Sequence, residues 1–238
     1  KIVMSKTYRQ VSTSRSQVFA KDPANRNLAR GSRFRMDAEM IRDQILASSG
    51  LLVDTMYGQS VKPPQPDGLW KSVTMIGERF KADTGDAIYR RSLYTYWKRG
   101  MPPPQMTILN APIRDSCVSR RERTNTPTQA LLLLNEGEYL KAARNLAQLA
   151  LNLETADDLE RIFFLYETVT SKLPDPSEQE VLSTLVDNLH ERYQSQPALA
   201  DALCNDLTSS SNKEKTQIAA WTVLVNTLYN LDITKTRE

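Results

Sequence analysis

Arginine carries most of the chemistry open to this sequence. Arg90-Arg91 opens an aromatic run, and Arg114-Asp115-Ser116-Cys117-Val118-Ser119-Arg120-Arg121-Glu122-Arg123 leads into a helix start at Thr126. A guanidinium is planar, permanently charged and forked, which suits carboxylate, sulfate or phosphate, and a helix N-terminus adds amide donors. Arg90, Arg91, Asp115, Arg120, Arg121 and Arg123 are therefore the candidate anion-binding or interface residues. The simpler reading pairs these arginines with Asp115, Glu122 or acids of the C-terminal half, pinning an irregular loop. It is preferred, because the cations stand among Asp, Tyr and Pro and form no lysine-rich tract.

Other reactive side chains are few. The single histidine, His190, falls on the polar flank of a predicted helix with only Asp187 and Glu191 near it, and reads as a packing or surface residue. Cys117 and Cys204 can be a disulfide or two free thiols, the latter preferred. Asp83-Thr84-Gly85 is the tripeptide of aspartic proteases, but that chemistry needs two carboxylates sharing a proton. One copy behind Lys81 and Ala82 reads as a turn. The sequence has no Cys-x-x-Cys-His, no phosphate-cradling glycine loop and no dinucleotide fingerprint. No catalytic residue, metal ligand set or cofactor is assigned within the chain.

The elements that must position the arginines follow from composition. Of the 238 residues 40% are hydrophobic and 25% charged, enough for a core without disulfides or metals. No apolar run nears the roughly 18 residues of a membrane helix. Residues 1–125 carry a net charge of +11 and residues 126–238 a net charge of −8. Either the halves attract one another or an acidic partner, the preferred reading, or the front half is a basic surface for an acidic polymer. Nucleic acid is the weakest partner, since no alternation of aromatic and basic residues builds a stacking platform. Apolar Ile2, Val3 and Met4 already look like an element in progress, so the first residue reads as a cut inside a longer polypeptide, with a processed mature terminus as the alternative.

Nine of the twelve prolines fall before residue 128, clustered at 63–66 and 102–104, so residues 51–125 should be mainly extended or irregular. One helix is expected before that stretch, Asp37 to Ser49, with Met36, Met40, Ile41, Ile45 and Leu46 inward and Gly50 as its left-handed stop. A strand is expected at 89–97, with Leu93, Thr95 and Trp97 on one face and residues 69–76 as a partner; a helix is the alternative. From Thr126 the pattern is helical. Thr126-Pro127-Thr128-Gln129 is a capping box with proline at the first helical position, followed by a short helix burying Leu131 to Leu134. Further helices should run to about Asn152, from the Thr155–Asp158 cap, from the Asp175-Pro176-Ser177-Glu178 cap, over 197–207 and over 213–230 beyond a serine-rich turn at 209–211. Their inward residues include Tyr139, Leu146, Leu159, Val181, Leu182, Trp221 and Leu224. The expected fold class is mainly α: a C-terminal helical bundle with a Pro-rich, partly extended N-terminal half containing at most a small β element. The expected units are 1–125 and 126–238, packed as one body.

Several ordered motifs resemble one family. They are Ser5-Lys6-Thr7-Tyr8-Arg9-Gln10, Arg35-Met36-Asp37-Ala38-Glu39-Met40-Ile41-Arg42-Asp43, Tyr89 to Arg99 with Pro102-Pro103-Pro104, Cys117 with Arg120-Arg121, Thr124 to Leu131, and Asn230 to Glu238. Together they resemble the planctomycete-type domain-of-unknown-function family 1553, along the whole chain. The resemblance implies the C-terminal part of a larger exported, periplasmic or cell-surface protein with a cytochrome c module upstream. Haem would then belong to that module, and the partners would be upstream domains of the same polypeptide or other subunits. The family brings no established reaction and no catalytic residues.

Overall fold

Proline and short polar side chains set where the helices begin. In the computed structural model, which describes residues 1–12, 16–72, 80–154, 157–207 and 211–237, the helices are α1 (Ser16–Lys21), α2 (Ala38–Ser48), α3 (Pro104–Ile108), α4 (Pro127–Asn135), α5 (Gly137–Leu151), α6 (Asp158–Thr170), α7 (Pro176–Ser195), α8 (Pro197–Leu203), α9 (Asn212–Asn230) and α10 (Asp232–Lys235). Thr126 accepts from the Gln129 N–H while the Gln129 side chain accepts from the Thr126 N–H, and Pro127 takes the first helical position. Asp175 and Glu178 close the same reciprocal box on α7. Ser211 and Glu214 do so on α9, a cap one residue earlier than the sequence places the helix. Asp157 caps α6 through the Leu159 N–H, whereas Thr155, Ala156 and most of the serine-rich turn lie outside the described residues.

The core is built around α9, where Trp221, Leu224, Val225, Leu228, Ala219 and Ala220 are all buried. A helix with burial on most of its faces needs neighbours on most sides, and α4, α5, α6, α7 and α8 supply them. Helix α5 approaches most extensively, through a face of Ala142, Ala143, Ala147 and Ala150 flanked by Tyr139 and Leu146. From the front half α2 docks on α5 and α6 and delivers Ala38, Ile41 and Ile45 to this core, with Leu46 also buried. It ends at Gly50 with φ +73°, the left-handed stop expected there.

Helical period alone misplaces several inward residues. Leu131 is 58% exposed and Leu134 is also outside; a run of four leucines turns through about 100° per residue, so Leu133 is buried in the core, Leu132 packs against it and the other two face away. Val181, 66% exposed, gives its place to Leu182 and Val186, and Met40 and Leu159 are likewise on the outside. Helix α8 stops at Leu203, short of the expected 207.

The expected strand at 89–97 is absent. Residues Asp86–Tyr89 and Ser92–Tyr94 are 3₁₀ turns, and Arg90 and Thr95 make only isolated bridges to Val53 and Val61. Leu93 is 77% exposed while Thr95, which a pleat would put on the same face, is buried together with Ser92, so no two-residue alternation exists here. The cause is α2. Arg42 takes the carbonyls of Ile88 and Arg90, and Asp43 accepts from both the N–H and the hydroxyl of Ser92 at 2.7 and 2.6 Å. Backbone groups a neighbouring strand would need are already bonded. The proposed partner at 69–76 begins as a 3₁₀ turn, Leu69–Ser72, and its remainder lies outside the described residues. A small β element exists elsewhere: β1 (Phe34–Arg35) pairs antiparallel with β2 (Thr236–Arg237), tying the front half to residues near 237.

Candidate functional site

The arginines sit where α2 meets the irregular chain. Arg42, with no side-chain exposure, forms a forked pair with Glu138 of α5, Nε to Oε2 at 2.9 Å and Nη2 to Oε1 at 2.5 Å. Its remaining donors reach the Arg90 and Ile88 carbonyls, both at 2.9 Å, and the Ser92 hydroxyl at 3.3 Å. One buried cation thus links α2, α5 and the 88–92 turn. A buried charge persists only when paired and fully bonded, and this one is.

Arg90 performs the same task for the loop before it. Its guanidinium donates to the carbonyls of Thr55, Tyr57 and Gln59 and lies 3.8 Å from the Tyr94 ring centre. Three carbonyls share the charge, so its donors point into the protein. Tyr57, held at φ +65°, donates its N–H to the Tyr94 hydroxyl at 2.7 Å, which completes the latch. Arg91, next in sequence, turns outward to Asp54 at 2.8 Å.

The other candidates cover the start of α2. Arg121 forks onto Glu39 at 2.6 and 3.2 Å with Asp37 at 3.5 Å, and the bond to Glu39 holds its pKa above the ordinary arginine value. Arg123 approaches Asp37 at 3.8 Å and lies 5.0 Å from the Phe34 ring. Asp115 pairs with Arg99 at 3.5 Å, while Arg120 is exposed. The structure therefore divides the six candidates among separate contacts. Arg121 and Arg123 share Asp37, Arg90 and Arg91 belong to the 54–59 loop, and Asp115 stands with Arg99. The acids engaged by Arg121 and Arg123 come from the front half itself, and not from Asp115, Glu122 or the C-terminal half. Ties between the halves exist, but through residues outside the six: Arg42 with Glu138, and Arg33 with Asp232 at 2.6 Å.

Aromatic faces nearby are likewise occupied. Lys62 lies over Tyr96, Lys98 over Trp70 and Arg114 over Trp97, at 4.8, 4.1 and 4.5 Å. Each such contact is worth about 0.5–1 kcal/mol at an exposed site. Sequence reasoning missed this interleaving because the partners are far apart along the chain. It also missed the buried polar set of Arg42, Gln129 and Asn226; Gln129 donates to the Ile108 carbonyl and accepts from Arg35, and Asn226 donates to the Leu133 carbonyl. The only available signal was a charged or amide residue falling beside an apolar stripe.

The remaining reactive groups are apart from this seam. Asp83 accepts the Lys62 N–H at 2.8 Å beside Gly85 at φ +73°, a turn. His190 packs edge-on against Trp221, 6.2 Å between centres. Cys117 is an exposed free thiol and Cys204 a buried one whose pKa burial raises. Among the described residues no three His, Cys, Asp or Glu side chains gather as a metal would require, and no helix is long and apolar enough to cross a membrane.

The fold and seam together define a mainly α protein whose arginine-rich irregular half is fastened to a helical half by buried guanidinium contacts. The chain belongs to the family described as proteins of unknown function DUF1553, which matches residues 1–186. The match covers the α2 motif, the 89–99 motif and the Thr124–Leu131 cap, where these contacts are made. No curated protein and no solved structure matches the chain.

Proposed function

We propose that this chain is the structural and docking region of a larger exported protein that carries a cytochrome c module upstream. The carrying observation is where apolar surface remains uncovered. Ile2 and Met4 are 78% and 71% exposed, and Val3, Tyr8, Val11 and Phe19, further along the same segment, are exposed too. Several uncovered apolar side chains recurring along one segment suit a surface that another folded segment covers. The arginines support the same reading, because most of their donors serve neighbouring carboxylates and carbonyls. Haem, in this account, is held by the upstream module, and the present residues position that module. The test joins the chain to the proposed upstream module and follows hydrogen exchange over residues 2–11. Docking slows exchange there, and identical exchange with and without the upstream segment counts against it.

A second reading, binding of an acidic or sulfated polysaccharide, has one specific observation in its favour. Arg91, Arg99 and Arg123 keep roughly half or more of their side-chain surface open, and Arg120 is exposed between them in sequence. Binding to a sulfated glycan that weakens with salt and with Arg120→Ala supports it, and indifference to both removes it.

A further inference from the structure

Between α3 and α4 the chain leaves the helical body as a loop, residues 111–123, pinched at its base. Asn110, held at φ +65°, donates its side-chain amide to the Thr124 hydroxyl at 2.6 Å. The buried Gln129 donates to the same hydroxyl at 3.2 Å and to the Ile108 carbonyl at 3.0 Å. Loops closed this way are often functional. Ala111 is buried at the base, but residues 113–120 are all exposed, and among the described residues none of 112–123 makes a backbone–backbone hydrogen bond. Charge fastens the body instead. Arg121 forks onto Glu39 and reaches Asp37, Arg123 reaches Asp37 and the Phe34 ring, Asp115 meets Arg99, and Arg114 lies over Trp97. A neutral bond from the Trp97 indole to the Ile113 carbonyl at 3.2 Å adds to these. Part-exposed ion pairs yield to salt, because the screening length contracts from about 10 Å at 0.1 M to about 3 Å at 1 M.

Asp37 has a second use open to it. It stands at the N-cap of α2 in extended backbone, where an aspartate ordinarily accepts from an amide two or three residues on, yet its side chain makes no capping bond. Its carboxylate faces Arg121 and Arg123. We propose that residues 111–123 are an ion-operated strap. Closed, Arg121 and Arg123 hold Asp37 and Glu39; open, the strap swings out on its base and Asp37 turns to cap α2 through the N–H of Glu39 or Met40. The cap gained offsets part of the ion pairs lost, so salt can choose between the two states. Opening frees Arg121 and Arg123 for another acidic group. The strap rests on neither functional reading above, and its failure leaves both standing.

The strap carries its own reporter. Cys117 is an exposed thiol and Cys204 a buried one, so a nitroxide reagent marks Cys117 in the natural 238-residue chain. The test records how far that nitroxide broadens the amide resonances of Asp37 to Ile41, with the reduced label as reference, as sodium chloride rises from about 0.02 M to about 1 M. Broadening is present at low salt and lost at high salt, and Arg121→Ala loses it already at low salt. As it goes, amide exchange at Glu39 and Met40 slows, the mark of the new cap. Should Arg121→Ala fail to fold, the salt series in the natural chain decides alone. No broadening at low salt, broadening indifferent to salt, or a folded Arg121→Ala that keeps it overturns the proposal. So does broadening lost while exchange at Glu39 and Met40 stays as fast.

Discussion

Replacing Glu138 with glutamine strips the buried Arg42 guanidinium of its paired charge and changes little else. The pair is enclosed, with side-chain exposures of 0% and 5%, and shares two hydrogen bonds. Removing one partner of such a pair costs about 3–5 kcal/mol, because the survivor remains buried and unbalanced. Asp43, whose carboxylate lies 3.9 Å from Arg42, retains part of the compensation and puts the value toward the lower end of that range. A loss of about 3 kcal/mol is a large share of the roughly 5–15 kcal/mol that holds a domain folded. Urea denaturation at neutral pH measures it as a lower midpoint at constant slope. The double variant Arg42→Met, Glu138→Leu separates charge from anchoring. It removes the buried charges but leaves the Ile88 and Arg90 carbonyls without their donor, at about 1–3 kcal/mol each, so it stays below the natural protein. A cost under about 1 kcal/mol for Glu138→Gln, or full recovery in the double variant, refutes the reasoning.

Three further outcomes are expected. Gly31→Ala places a methyl 2.5 Å from the Gln10 carbonyl, a backbone atom and not the flexible end of a side chain, so residues 10–12 must shift at a cost and limited proteolysis should cut there faster. A thiol reagent should label Cys117 at once and Cys204 only on unfolding; equal rates would show that the buried thiol is open. Hydrogen bonds from Ser177 and Glu178 hold the Asp175 carboxyl below its ordinary value of 3.8. A lowered folded pKa gives stability that is present above that value and lost as pH falls through the folded pKa. Asp175→Asn, which keeps a cap acceptor but cannot ionise, should therefore flatten the acid limb of the stability curve.

Local chemistry was legible and long-range partnership was not. The starts at Thr126 and Asp175 and the stop at Gly50 could be read because a cap, a proline or a left-handed glycine acts within four residues. Burial of Leu131 and Val181 could not, since which side of a helix faces inward depends on neighbours the pattern does not name. The aromatic run at 89–97 has strand propensity, but propensity yields when side chains from another element claim the backbone, as Arg42 and Asp43 do. The candidate arginines were legible as a group. Their partners were not: Glu39 stands 82 positions from Arg121, and Glu138 stands 96 from Arg42. Arg42 itself reads in the sequence only as one residue of the α2 motif, because arginine is seldom fully buried and nothing near it in sequence announces the pair.

The central claim is that another folded segment covers the apolar front of this chain. The most direct measurement is hydrogen exchange at residues 2–11 in the proposed longer polypeptide, compared with the chain alone. The account predicts slower exchange at Ile2, Met4, Tyr8 and Val11 in the extended protein, together with a higher unfolding midpoint. Unchanged exchange and an unchanged midpoint, with those side chains still open to solvent, would contradict it.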